Sequence, residues 1–206
     1  MNKPILDTLN EPVATDALGE PNWPIPVPEM RRRYLKLFTG AVNDVLRFKY
    51  KMHASALPSD FFPLREGMVL AGQAFTVKGG PDITTDGEFE MRAEMLEALH
   101  EDSVIVWDCT GDRTTAQWGE VMTMAAMLAG CRGAVVNGIR DTNSILRQGF
   151  PVFPKYRCST GMLGRFRMYH YQKPILMGEL DRLITEYRNC PTWAHPGCFP
   201  ANRPEP

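Results

Sequence analysis

Apolar residues recur at helical spacing in four parts of the chain. Phe38, Val42, Val45 and Leu46 lie at i, i+4, i+7 and i+8, which predicts a helix with one apolar face and Thr39 as its N-cap. Glycines after the third and fourth helices provide stop signals. The remaining predicted helices span residues 88–100, 118–128 and 140–149.

Short apolar segments between these helices predict strands. Residues 69–77 alternate apolar with small or polar side chains, which is typical of a strand with two different faces. Three further strands are predicted from short apolar runs at residues 104–107, 133–136 and 151–156. Because strands alternate with helices, the pattern favours an α/β domain with parallel strand pairs.

The two ends of the chain lack this periodicity. Prolines recur through residues 1–28, and proline fixes φ and removes a hydrogen-bond donor, so an extended arm is predicted there. Such an arm either packs on a neighbouring subunit or is disordered. The sequence therefore predicts one α/β domain at 34–175, an N-terminal arm at 1–33 and a C-terminal tail at 176–206 that contributes little to the core.

Composition excludes several function classes. The net charge of −1 gives no overall field that favours nucleic acid, and no apolar run is long enough to span a membrane. The N-terminus has no apolar signal-peptide core, so a cytoplasmic location is expected. The five cysteines show no C-x-x-C spacing, which favours free thiols over a zinc site or a disulfide framework.

Two segments carry candidate chemistry. Gly119, Glu120, Val121 and Met122 lie at a predicted helix start, where unpaired N–H groups attract carboxylates or phosphates. The alternative is a glycine turn before a core helix. Residues 137–141 follow a predicted buried strand, where ligands bind in open α/β sheets.

Arg140 and Asp141 close the second segment and offer complementary functions. The guanidinium can grip a carboxylate in two-pronged fashion, and the aspartate can hold a hard cation such as Mg²⁺. A surface arginine beside a helix N-cap aspartate is the alternative. Asp108, Asp112 and Glu120 form an acidic group that could orient water or act as a general base, or could be solvated loop charges.

The segment at 118–153, WGEVMTMAAMLAGCRGAVVNGIRDTNSILRQGFPVF, resembles the central motif of the regulator of ribonuclease activity A family. That family includes 4-hydroxy-4-methyl-2-oxoglutarate aldolases and oxaloacetate decarboxylases. LAGQAFTV at 70–77 and VIVWDCTGDRTTAQWGE at 104–120 resemble the family's first strands and the loop before its site. The chain departs from the family pattern in having one residue fewer between Glu120 and Arg140, and in the segment from Leu176 onward.

This resemblance implies a swivelling β/β/α domain that assembles as a homotrimer or hexamer, with sites between subunits. It also implies roles for individual residues. Asp141 would bind Mg²⁺ or Mn²⁺, and Arg140 would bind the substrate carboxylate or stabilise an enolate. The N–H groups of Val121 and Met122 beside Gly119 would hold the pyruvate carboxylate, and Glu120 would hold a water for proton transfer.

The function that follows is a divalent-metal-dependent lyase. It would cleave or decarboxylate a small 2-oxo acid through a pyruvate enolate. The alternative is a non-catalytic regulator that binds a protein partner such as a ribonuclease, or a degraded paralogue. A methyltransferase is not supported, because the sequence shows no glycine-rich nucleotide loop.

Overall fold

A computed structural model of the chain describes residues 25–52 and 56–173, together with Ile175 and Met177. Five helices occur in this part of the chain: α1 (Val27–Tyr34), α2 (Thr39–Phe48), α3 (Glu88–Glu97), α4 (Glu120–Leu128) and α5 (Thr142–Gln148). Five strands occur with them: β1 (Gln73–Pro81), β2 (Ser103–Asp108), β3 (Gly133–Ile139), β4 (Val152–Arg157) and β5 (Phe166–Tyr171).

All five strands belong to one sheet with the order β4-β3-β2-β1-β5. The first four strands pair in parallel, while β5 pairs antiparallel with β1 at the edge. Parallel neighbours end at the same edge of the sheet, so the loops after β2, β3 and β4 meet there. The predicted α/β class with parallel pairs is confirmed.

The sheet is buried on both faces, which explains why its central strands are continuously apolar in sequence. Ile105 and Trp107 of β2 face a core cluster that includes side chains of α3, α4 and α5. Val104 and Val106 face the opposite cluster, which contains Phe61 from the segment before β1. Alternate side chains of β2 therefore pack into two different core clusters, one on each face of the sheet.

The predicted helix around residues 38–46 is confirmed, but its details differ. Phe38, not Thr39, occupies the N-cap position of α2, and it makes no side-chain capping bond. Leu46 is buried, whereas Phe38 and Val45 are 65% and 50% exposed. The apolar face read from the sequence is thus covered only in part by the described residues of this chain.

Sequence reasoning missed α1 and β5. Helix α1 occupies part of the predicted arm; Pro28 lies in its first turn, where a missing N–H does no harm. Strand β5 has a basic and aromatic sequence, yet Phe166 and Met168 are fully buried and alternate with the more exposed Arg167. An edge strand needs apolar residues on one face only, so its sequence signal is weak.

Most of the remaining predictions about the chain ends cannot be compared with the structure. Residues 1–24 of the predicted arm lie outside the described residues, as does the predicted tail at 176–206 apart from Met177.

Of the five cysteines, Cys109, Cys131 and Cys158 are described, and all three are free thiols. Within the described chain, no helix combines the length and apolarity that a membrane crossing requires.

Candidate functional site

The candidate site lies at the sheet edge where β2 and β3 end. The loop that leaves β2 returns alongside the end of β3, with an isolated parallel bridge between Trp118 and Ile139. The backbone N–H of Trp118 donates to the carbonyl of Gly138 at 3.2 Å, and the N–H of Arg140 donates to the carbonyl of Trp118 at 2.9 Å. These bonds place the start of α4 directly beside Arg140.

Asp141 has a backbone and side-chain geometry that differs from an ordinary helix cap. It precedes α5 in the left-handed region, with φ 54° and ψ 34°, and makes no side-chain capping bond to its own helix. Instead, its Oδ2 accepts the N–H of Glu120 at 3.2 Å and lies 3.3 Å from Nε of Arg140. Asp141 therefore occupies the N-cap position of α5, as one alternative predicted, but its carboxylate faces the first turn of α4.

Gly119 is required for this approach. A Cβ atom at position 119 would lie 2.7 Å from Oδ2 of Asp141 and 3.1 Å from Cγ of Arg140. Both distances are shorter than ordinary van der Waals contact, so any side chain here would displace the Arg–Asp pair. The glycine thus makes room for protein side chains at the helix start.

The first turn of α4 is anchored on one side and open on the other. Met122 is buried in the core, whereas Val121 is 75% exposed and Glu120 is partly exposed. The helix begins with Gly119 as its N-cap, which has no side chain to cap it, and the carboxylate of Asp141 accepts the N–H of the first helical residue, Glu120. The structure therefore brings Gly119 and the first turn of α4 together with the Arg140–Asp141 pair, and the roles assigned to these residues stay a prediction.

The two other acidic candidates are buried and held by protein donors. Asp108 forms an ion pair with Lys78, with 2.5 Å between Nζ and Oδ2, and also accepts the N–H of Thr110 at 2.9 Å. Asp112 is 7% exposed. The interpretation of Asp108 and Asp112 as solvated loop charges is therefore wrong, and a role in orienting water stays a prediction.

Asp112 organises the loop between β2 and α4. Its Oδ1 accepts the N–H and hydroxyl of Thr114, and its Oδ2 accepts the N–H and hydroxyl of Thr115. The amide of Gln117 also donates to Oδ2, at 2.7 Å. Burial opposes ionisation of Asp112, but the hydrogen bonds from Thr115 and Thr114 outweigh it and lower the pKa of this carboxyl.

Sequence reasoning missed Gln117 and Tyr156, which complete this network. The Tyr156 hydroxyl at the end of β4 donates into the loop, 2.8 Å from the carbonyl of Thr115, and burial raises the pKa of Tyr156. The order Asp-x-Thr-Thr in the sequence is a signal for a turn in which aspartate accepts the following N–H groups. It could have identified Asp112 as a structural residue.

One carboxylate at this end of the sheet, that of Asp141, has the chemistry to take part in holding a hard divalent cation. The described residues contain no group of three or more His, Cys, Asp and Glu side chains that could hold a metal. Mg²⁺ keeps several waters and is commonly held by one or two carboxylates together with substrate oxygens. Asp141 is a partly exposed carboxylate beside an open helix start, and so meets that requirement.

Comparison with known proteins identifies the family. A family model described as RraA-like, Aldolase/RraA, matches residues 39–180. The chain is 34% identical over 110 residues to Protein DlpA of Legionella pneumophila, a match that covers 52% of this chain and 17% of that much longer protein.

Solved structures of other proteins have a fold similar to that of this chain. One described as a crystal structure of novel cellulases from microbes associated with the gut ecosystem is 42% identical, with a TM-score of 0.76, covering 87% of this chain and 79% of that chain. Streptomyces coelicolor RraAS2, described as an unusual member of the RNase ES inhibitor RraA protein family, is 21% identical, with a TM-score of 0.65 and 78% of each chain covered. The predicted fold of the ribonuclease-activity-regulator type is confirmed, and the chain belongs to the RraA-like (Aldolase/RraA) family.

Proposed function

We propose that this protein is a divalent-metal-dependent lyase that cleaves or decarboxylates small 2-oxo acids through a pyruvate enolate. The observation that supports this most directly is the approach of Arg140 and Asp141 to the first turn of α4. Cleavage of a bond β to a keto group leaves negative charge on the keto oxygen. A site for this reaction needs a cation, a fixed positive group and a holder for the substrate carboxylate.

Asp141 is the residue that would hold Mg²⁺ or Mn²⁺. When bound, the metal supplies Lewis-acid polarisation of a substrate oxygen. The pairing of Asp141 with Arg140 still leaves carboxylate lone pairs for a cation, since each oxygen can accept more than one partner. The left-handed backbone of Asp141 turns this carboxylate away from its own helix and toward the site.

The first turn of α4 would hold the substrate carboxylate. The N–H groups of Val121 and Met122 have no partners within the helix, and the helix end carries a partial positive charge. Arg140 would lie where negative charge develops on the keto oxygen, and its planar guanidinium can make two parallel hydrogen bonds. Glu120, partly exposed at the same turn, would hold the water that exchanges a proton with the product carbon.

We also propose that the chain assembles as a ring, as a homotrimer or a hexamer. The outer side of α4 exposes Val121, Met124 and Leu128, the last of them 90% exposed. This apolar stripe starts at the candidate site, and large exposed apolar patches favour protein contacts. Light scattering at micromolar concentration is expected to give a mass well above the 23.2 kDa of one chain, and a stable monomer would contradict the assembly.

The function is tested by metal-dependent release of pyruvate. Purified protein would be assayed with oxaloacetate and substituted 2-oxoglutarates, each with Mn²⁺ and with excess chelator. We expect pyruvate only when the metal is present. A soluble cellulose derivative, assayed separately for release of reducing sugar, is a useful addition, because a 42% identical solved structure is described as one of novel cellulases.

The second candidate function is regulation of a ribonuclease without catalysis. It is supported by the description of the Streptomyces coelicolor relative as a member of an RNase inhibitor family. The pyruvate assay separates the two candidates. A well-folded protein that releases no pyruvate under any metal condition, and that binds a ribonuclease in a pull-down, would favour the regulator.

A further inference from the structure

Gln117 joins the two chain segments that form the candidate site. It is 2% exposed, and its side-chain Oε1 accepts the N–H of Gly138 at 2.7 Å. Its Nε2 donates to Oδ2 of Asp112 at 2.7 Å and to the hydroxyl of Thr115 at 2.9 Å. One buried amide thus spans from the loop after β2 to the end of β3.

The loop at residues 112–118 packs against β3 without room for adjustment. A Cβ atom at Gly138 would lie 2.1 Å from the carbonyl of Thr115, so the backbones approach as closely as glycine allows. Asn137 also donates its Nδ2 to the carbonyl of Asp112 at 3.2 Å. Carboxylate, amide and backbone groups together fix the loop against the strand.

In the Gln117–Gly138 contact, both residues lie two positions before a residue of the candidate site. Gly119 follows Gln117 by two positions, and Arg140 follows Gly138 by two positions. The Gln117 side-chain contact therefore adds to the backbone bonds of Trp118 with Gly138 and Arg140 that hold the first turn of α4 beside the Arg140–Asp141 pair. A displacement of about 1 Å in a reacting geometry can lower a rate about 100-fold.

We propose that Asp112 and Gln117 are positioning residues that set the first turn of α4 at its working distance from Arg140 and Asp141. This inference rests on the proposed function, since it assigns the network to that same site. Asp112 holds the Gln117 amide in one orientation, with Nε2 toward the carboxylate and Oε1 toward Gly138. In this role the network acts through the backbone of residues 118–120.

The test compares two network variants with a matched control. Gln117→Met keeps side-chain volume but removes both amide contacts, and Asp112→Asn places an NH₂ group among donors. Asp102→Asn is the control, because Asp102 is also a buried aspartate, 4% exposed, but lies before β2 at the opposite edge of the sheet. If Asp112→Asn does not fold, Gln117→Met carries the test.

Three measurements on the full chain distinguish positioning from stabilisation alone. These are the melting temperature, the affinity for Mn²⁺ alone and the affinity for oxalate, a planar mimic of the enolate, in the presence of Mn²⁺. We expect oxalate affinity to fall about tenfold or more in both network variants, with Mn²⁺ affinity within about threefold of wild type because Asp141 remains in place. Asp102→Asn is expected to change the melting temperature only.

A measurement that needs no ligand distinguishes a failure of this inference from a failure of the proposed function. The NMR amide signals of Glu120 and Asp141 report the contact across the site, and we expect them to shift in Gln117→Met but not in Asp102→Asn. If both signals and oxalate affinity stay at wild-type values while the melting temperature falls, the network only stabilises the fold and the inference is wrong. If wild type binds no oxalate and releases no pyruvate, the proposed function fails, and the amide signals alone decide on positioning.

Discussion

Buried aspartates lie at both ends of the parallel strands, and the charges of Asp102 at one end and Asp112 at the other are balanced in different ways. Asp102, before β2, accepts a hydrogen bond from Nε of Arg132 at 2.6 Å and lies 3.9 Å from Nε of Arg31. Asp112, after β2, accepts its hydrogen bonds from threonine hydroxyls, backbone N–H groups and the Gln117 amide. Asp102 therefore relies on ion pairs and Asp112 on neutral donors, whereas Asp108, the last residue of β2, pairs with Lys78.

This difference explains why Arg140, which lies where the parallel strands end, remains available to a ligand. At the amino edge, Arg132 is committed to Asp102, and the pair ties the turn before β2 to the turn before β3. At the carboxyl edge, Asp112 is satisfied without a guanidinium, and Arg140 keeps 47% of its side chain exposed beside Asp141. A buried carboxylate satisfied by neutral donors can therefore fix a loop without consuming the positive charge that a ligand needs.

The sharpest way to break this comparison is to replace the arginine at each edge. Arg140→Lys keeps the charge but loses the planar fork, so kcat/KM for pyruvate release is expected to fall about 100-fold or more. Arg132→Lys at the opposite edge is the control and is expected to retain activity. Steady-state kinetics with circular dichroism checks both variants, and near-wild-type activity of Arg140→Lys would argue against its role.

Aspartates in the same backbone conformation provide the second comparison. Asp102 and Asp141 both lie in the left-handed region, with φ of 60° and 54°, a conformation that asparagine also tolerates. Asp141→Asn removes the negative charge that a hard cation needs, so Mn²⁺ affinity is expected to fall about tenfold or more, and excess Mn²⁺ to restore part of the activity. Calorimetric titration of Asp102→Asn should match wild type; equal Mn²⁺ affinity in both variants would exclude Asp141 as the ligand.

Glycines at the two edges test whether close packing serves the site or the fold. In Gly119→Ala the new Cβ meets the carboxylate of Asp141, which can move, so pyruvate release is expected to fall about tenfold with a small change in melting temperature. In Gly72→Ala the Cβ would lie 2.4 Å from the backbone carbonyl of Asp102, which cannot move easily. We expect that variant to lose about 1–3 kcal/mol of stability, and equal stability losses in the two variants would contradict the distinction.

The sequence predicted the elements whose signal is local. Buried strands such as β2 and β3 are continuous apolar runs bounded by turns, and Gly149 ends α5 as its sequence position indicates. Strand β5 and helix α1 were missed, because one exposed strand face and a proline-rich start obscure their periodicity.

The sequence named the residues of the candidate site but not the contacts that hold them. Residues 119–122 and 140–141 carry the motif that resembles the family, and the fold brings the two segments together, while their roles stay a prediction. The role of Asp112 depends on Gln117 and Tyr156, which are five and 44 positions away, and on which way the loop folds. A list of charged residues cannot show that a carboxylate is buried among neutral donors, since burial is set by the tertiary contacts of the loop.

The last prediction concerns the acid side of the stability profile, where the effect is smallest. The folded-state pKa of Asp112 lies below its ordinary value of 3.8, because hydrogen bonds from Thr115 and Thr114 outweigh the effect of burial. Its stabilising contribution is therefore complete above about pH 4 and is lost as the pH falls through the folded-state pKa, since the unfolded chain takes up the proton first. Urea unfolding of wild type and Asp112→Asn should show a free-energy difference that is constant between about pH 5 and pH 7 and narrows below about pH 4. A difference that widens on acidification would mean that the folded state favours the protonated acid, and would contradict the hydrogen-bond account of this carboxylate.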